Sequence, residues 1–250
     1  MIKCICFVEF AKMKGANAVS IGLLAAVLTV AAAANAADII GNVTLKGTPP
    51  AEADLGPYMK DFPDCAAMYG GKLPTTHFYV VGPKGEFADV VVSLKGMSGK
   101  STGPSAPPAL LDQKGCVYTP QILAVQTGQK LLVRNSDNCI HNVHCTPTVA
   151  GNDEHNDGQM AGAPDLTYTF PKPEMFITFK CDVHPWMRAW VSVFDHPYFA
   201  VSDQSGKFVI KNVPPGKYTV EADHRKLGVQ TQDVEVKDSD VTVNFTYQIK

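Results

Sequence analysis

The chain carries no basic run, and its formal net charge is -2, so it lacks the electrostatic footprint of a nucleic-acid partner. It has no glycine-rich phosphate loop, no nucleophile elbow and no zinc-protease motif. His-x-His pairs, which a multicopper oxidase needs, are missing as well. Carboxylates occur throughout, but no pair is marked as acid and base. The reading is therefore of a non-enzyme, with no small-molecule substrate evident. No long helical periodicity runs through the chain. After residue 36, no segment is long and apolar enough to cross a bilayer. With 18% charged and 45% hydrophobic residues, wholesale disorder is excluded.

What is present begins with an export signal. Lys3, Lys12 and Lys14 precede an alanine-rich apolar stretch over 16–34, and Ala34-Asn35-Ala36 is a small-x-small cleavage site. The expected segment is 1–36, with the mature chain starting near Ala37 in the periplasm or outside the cell. The alternative is an uncleaved anchor, the one case in which membrane contact is expected. Cleavage removes three lysines and one glutamate, leaving a net charge of about -4. It also removes Cys4 and Cys6, so Cys65, Cys116, Cys139, Cys145 and Cys181 remain. An odd count in an exported chain is explained if one cysteine binds metal while others pair. Cys65 with Cys116 is the expected disulfide. Cys139 and Cys145 either bridge, if their loop bends back, or stay as two thiols.

The mature chain reads as all-β. Val241, Val243, Phe245 and Tyr247 alternate with polar residues, as do Tyr218, Val220 and Ala222, and Ile177, Phe179 and Cys181. Turn-forming sequences at 82–85, 127–129, 203–206 and 214–216 separate such runs. A short helical turn fits 63–69. The stretches 96–108 and 150–164 read as linkers or mobile loops, because neither has a buried-strand pattern.

The strongest motif is Cys181-Asp182-Val183-His184-Pro185-Trp186-Met187, which puts a thiol, an imidazole and a thioether in one loop after a strand. Upstream, the run from Asn135 to Val143 provides a second imidazole, His141. A metal that alternates between Cu(I) and Cu(II) is suited by two imidazoles and a thiolate in a plane with a weak axial thioether. A structural zinc site is the competing reading, but zinc prefers a closed Cys/His set and methionine is a poor ligand for it. Met187 and Trp186 also have a plain reading as core residues. His144 lies three residues after His141 and, on a strand, faces the other way. His77, His155, His196 and His224 read as surface or hydrogen-bonded histidines, with His155 the one candidate for a second metal.

These residues resemble the cupredoxins, amicyanin and plastocyanin among them, over 115–195: a His-Asn-Val element followed by a contracted Cys-x-x-His-x-x-Met loop. The resemblance implies a Greek-key β-sandwich holding one type 1 copper, with His141, Cys181 and His184 equatorial and Met187 axial. It implies that Asn142 ties the two ligand loops together. Electrons are expected to pass at the His184 edge, with Pro185 and Trp186 forming the docking surface for a transient redox protein.

The remaining ends, 38–95 and 197–250, are similar to a carboxypeptidase regulatory-like (transthyretin-type) sandwich. Gly41 to Gly47 and Ala88 to Val92 resemble its first strands. Asp203 to Ile210 and Val213 to Val220 resemble its later ones. The expectation is one small sandwich into which the copper module is inserted, or beside which it lies. The competing functions are an envelope binding or structural module and a copper-handling protein.

Overall fold

The computed structural model describes residues 36–249; most of the expected signal segment, with Cys4 and Cys6, lies outside them. The described chain is almost entirely β. The first eight strands are β1 (Ala37–Lys46), β2 (Val91–Leu94), β3 (Ala109–Gln113), β4 (Tyr118–Thr119), β5 (Ile122–Gln126), β6 (Leu131–Asn135), β7 (His141–Thr146) and β8 (His155–Gln159). There follow β9 (Leu166–Tyr168), β10 (Glu174–Lys180), β11 (Arg188–Phe194), β12 (Phe199–Val201) and β13 (Lys207–Val213). The last four are β14 (Gly216–His224), β15 (Gly228–Val236), β16 (Val241–Thr242) and β17 (Phe245–Gln248). Two short helices, α1 (Gly56–Met59) and α2 (Pro63–Ala67), carry a proline in their first turn, where its missing N–H leaves no intrahelical bond unmade. No helix among the described residues is long and apolar enough to cross a membrane.

Four sheets form. β1 pairs antiparallel with β13 and parallel with β16 and β17. β12, β2, β14 and β15 make a second sheet in that order. Strands from the two ends of the chain therefore share sheets, with Leu45 opposite Tyr247 and Val92 opposite Ala222. Their inward residues, among them Ile39, Val43, Phe87, Phe208, Val220 and Phe245, pack into one core. The alternation that suggested these strands is the alternation that fills it. Gly41 is needed at its position: a Cβ there would lie 1.7 Å from the Val243 carbonyl oxygen. Gly206, at φ +73°, closes the turn into β13 and donates its amide to the Asp203 carbonyl at 2.8 Å.

The other two sheets run β5-β11-β10-β7-β8 and β4-β3-β6-β9. Leu111, Val133, Val143, Phe179 and Val191 fill a second core between them. β3 begins at Ala109, ahead of residue 115, and pairs parallel with β6. The stretch 150–164, expected to be a loop, contains β8, paired with β7 from His141↔Gln159 to Cys145↔His155. Its residues are polar on both faces, so the strand has no hydrophobic alternation to betray it; the backbone ladder holds it together with side-chain hydrogen bonds such as Gln113 Nε2 to Gln159 Oε1 at 2.7 Å and the Tyr168 hydroxyl to Asp157 Oδ2 at 2.8 Å. A third cluster, Val91, Ile122, Trp190 and Phe194, packs β2 against β5 and β11.

Candidate metal centre

His141 opens β7, whose burial alternates so that His141, Val143 and Cys145 face inward and His144 outward. β10 runs antiparallel to β7, with Lys180 opposite His144. That register carries the loop after β10 onto the start of β7, and so brings Cys181 and His184 to His141. The loop is closed by its own backbone: the Met187 amide donates to the His184 carbonyl at 2.9 Å, and the Cys181 amide to the Met187 carbonyl at 3.3 Å. One ligand atom from each of His141, Cys181 and His184 lies within 4.8 Å of the other two. His141 and Met187 are fully buried, and Cys181 and His184 nearly so.

The two imidazoles meet through their Nδ1 atoms, 2.9 Å apart. His141 Nε2 lies 2.9 Å from Asp137 Oδ2. A carboxylate can only accept, so Nε2 carries a proton and the neutral ring presents a lone pair at Nδ1. The Cys181 sulfur sits 3.7 Å from His184 Nδ1 and accepts the Asn142 amide at 3.4 Å. Burial pushes the Cys181 thiol up, but bonds from the two imidazoles and from the Asn142 and His184 amides outweigh it and bring it down to about 6. A thiolate is the ligand form of cysteine.

Asp137 was not singled out from the sequence, yet it organises the site. Its carboxylate accepts the Gly115 amide at 2.7 Å and the Cys116 amide at 2.8 Å besides the His141 ring. Burial works against its ionisation, but these bonds hold it below the ordinary carboxylate range. In return, although burial disfavours a charged His141, Asp137 and Cys181 raise its pKa. The signal for Asp137 was modest: a carboxylate four residues ahead of the first histidine. Tyr118 was also missed. Its hydroxyl lies 3.1 Å from both the Asn142 and Lys180 carbonyls, bridging β7 and β10 behind the site. The Asn142 side-chain oxygen accepts the Asp182 amide, joining the two ligand-bearing segments.

Cys65 and Cys116 form a disulfide, S–S 2.08 Å. Cys139 and Cys145, left open as a pair, are both free, as is Cys181. From His141 to Cys145 the chain is continuous strand, and four steps of strand span about 13 Å, which carries Cys145 away from the turn that holds Cys139. The Cys139 sulfur instead lies 3.9 Å from Cys116 Sγ and 3.6 Å from His141 Nε2. Cys145 is inside the core, where burial above all pushes its thiol up to about 11. His144 faces Asp182 and Glu154, 2.7 Å from each, on the side away from the site. The His155 ring lies tilted against Tyr168, centroids 4.8 Å apart, and joins no candidate metal group among the described residues. His196 and His224 are buried, each accepting a nearby backbone amide at Nδ1.

His184 is 4% exposed, and the Phe62 ring stands edge-on to it at 5.0 Å. Phe62 lies just before α2, which the Cys65–Cys116 disulfide fastens beside the site. Trp186 packs on both Phe62 and His184 and donates its indole N–H to the Cys116 carbonyl at 2.8 Å. Pro185 is exposed; Trp186 is half-buried.

The donor set fits copper in its chemistry: two imidazoles, one acidified thiol and a buried thioether in one closed loop. The carboxylate behind His141 is the outer support that metal-bound histidines usually have.

No curated protein sequence matches the chain. The family of the NOMO1-like BOS complex subunit, second β-sandwich domain, matches residues 198–249. A Cu(I) amicyanin variant is 20% identical over 41% of this chain and 97% of its own, with a TM-score of 0.31. A purple cupredoxin from Nitrosopumilus maritimus is 18% identical over 34% of this chain and 98% of its own, at 0.29. The copper-containing nitrite reductase of Thermus scotoductus SA-01 is 20% identical over 35% of this chain, at 0.32, and the chain spans 22% of that enzyme. What fold and family match share is coarse and plain: the chain is an all-β protein of sandwich type.

Proposed function

We propose that the chain is an exported carrier of single electrons, not an enzyme, with one copper held by His141, Cys181, His184 and Met187. The observation that carries this reading is the pair of buried Nδ1 atoms 2.9 Å apart beside the acidified Cys181. With His141 Nε2 committed to Asp137, the Nδ1 side needs a proton or a cation between the rings. When bound, copper would supply reversible one-electron chemistry. The chain's residues do the rest. Asp137 holds the His141 tautomer, and the Asn142 amide and side chain hold the sulfur and its loop. Tyr118 fixes the spacing of β7 and β10, and Phe62 and Trp186 keep water off His184. A frame this constrained changes little between oxidation states, which keeps reorganisation small. Met187 in the loop favours copper over zinc.

With the His184 edge covered, Phe62 and Trp186 are the groups through which a redox protein would exchange electrons. The Cys65–Cys116 disulfide supports residence in an oxidising compartment, the periplasm or the outside. The match of residues 198–249 to a β-sandwich module supports a structural role for the C-terminal strands, alongside the copper site. Voltammetry of the copper-loaded protein tests the carrier reading. A reversible one-electron wave is expected; tight Cu(I) that does not reoxidise would make the protein a copper-handling one instead.

A further inference from the structure

Beside the metal centre lies a cleft of about 910 Å³, lined in part by Phe78, Asp89, Trp186, Trp190, Phe199 and Ala200. Its walls come from the segment between α2 and β2, from β5 and β11, and from β12, so no single element explains it. The volume is that of a site for a small organic molecule. Most of its wall is aromatic or aliphatic; the exposed Arg188 lines it too, the Arg225 guanidinium lies 3.5 Å from the Trp190 ring centroid with its buried Nη2 lacking a hydrogen-bond partner, and Lys226 Nζ lies 4.4 Å from the Phe78 ring centroid.

Among the polar residues that also line the cleft, with Arg188, Gln121 and Asp203, is the half-buried Asp89. No described residue bonds to its carboxyl, and burial alone pushes that group up to about 6. Its backbone is held at φ +62°, with the amide donating to the Ser202 carbonyl at 3.0 Å. A half-buried carboxyl without a protein donor is free to accept a hydrogen bond from a molecule in the cleft.

We infer that this cleft binds an uncharged planar aromatic molecule bearing a hydroxyl or N–H group, its ring between the aromatic walls and its donor on Asp89. A flat ring matches the walls, and the donor answers the one unpartnered carboxyl. A cation would meet Arg188, Arg225 and Lys226 nearby. Trp186 forms both a wall of the cleft and a contact of His184, so the bound ring sits one side chain away from the metal centre. The inference does not require copper.

The chain's two tryptophans both line the cleft, so its two indole N–H signals report occupancy directly. The probe is 2-naphthol, titrated into the nitrogen-15-labelled mature chain, metal-free and again copper-loaded and reduced. Saturable movement of both indole signals is expected in either form. Asp89→Gly deletes the carboxyl while suiting the left-handed backbone. It should weaken 2-naphthol about tenfold or more, the scale of a lost hydrogen bond to a charged group, and leave naphthalene binding unchanged. Ala200→Trp, which fills the cleft, should remove both. Absence of saturable shifts in both forms, or equal 2-naphthol affinity in wild type and Asp89→Gly, overturns the assignment. A colourless copper titration bears on the metal reading alone.

Discussion

Asp137 satisfies two backbone amides and one imidazole with a single carboxylate, and this makes it the residue on which the site's geometry depends. Asp137→Asn leaves an oxygen for an amide but puts an N–H₂ where an acceptor stood. Metal affinity should fall about 10–100-fold in chelator competition, with the fold intact by circular dichroism. Unchanged affinity would reduce Asp137 to a loop brace. Met187→Leu should keep copper and colour and raise the reduction potential, because an apolar axial side disfavours the more highly charged state; His141→Ala should lose copper far more readily. Away from the site, His224 is buried against Phe87 and Tyr247, and burial above all lowers it to about 4. The unfolded chain takes up its proton near the ordinary 6.5 while the folded chain resists. His224 therefore contributes stability above 6.5 that is lost as pH falls through about 4, about 3 kcal/mol in all. Asp89, raised to about 6 by burial, acts in the opposite sense between about 6 and 4. Chemical denaturation at pH 7 and pH 4.5 should show wild type losing more stability than His224→Phe. Equal losses would mean that His224 is hydrated in the native state.

At the scale of elements, the loop from Cys181 to Met187 stood out as a candidate site because three possible donors fall within seven residues after a strand. Phe62, Tyr118 and Asp137 did not, because what they do arises where α2, β4 and the β6–β7 turn come together across tens of residues. β8 was illegible for another reason. A polar edge strand announces itself neither by burial nor by branching, only by its ladder to β7. The pairing of β7 with β10 carries His141 to Cys181, and Tyr118 pins it from behind. Tyr118→Phe removes the hydroxyl from two buried carbonyls and should cost about 1–3 kcal/mol, a fall in Tm of several degrees by calorimetry. α2 acts as a cover. Phe62→Ala should expose the His184 edge and speed copper loss to a chelator, without altering the colour. A slower or unchanged loss rate would show that Trp186 alone shields the imidazole.

In the whole molecule, the alternation in residues 241–247 announced a strand but not its neighbour. β17 joins β1 in parallel across 202 positions, Val43 to Phe245, and only the close fit of Gly41 against Val243 and Phe208 shows why the chain ends can meet. The third cluster around Trp190, with Arg225 stacked on it, packs β2 and β12 against β5 and β11 and borders the cleft beside the metal centre. The proposed copper site depends on Cys181 as its thiolate, and a single titration puts that to the test. Cu(II) is added to the chain from Ala37 onward and to its Cys181→Ser, Cys139→Ser and Cys145→Ser variants while absorption is followed near about 600 nm, the order expected of Cu(II)–thiolate charge transfer. An intense band saturating at one copper per chain is predicted in wild type and in the Cys139 and Cys145 variants, and none in Cys181→Ser; a colourless wild type, or a band that survives in Cys181→Ser, would contradict it.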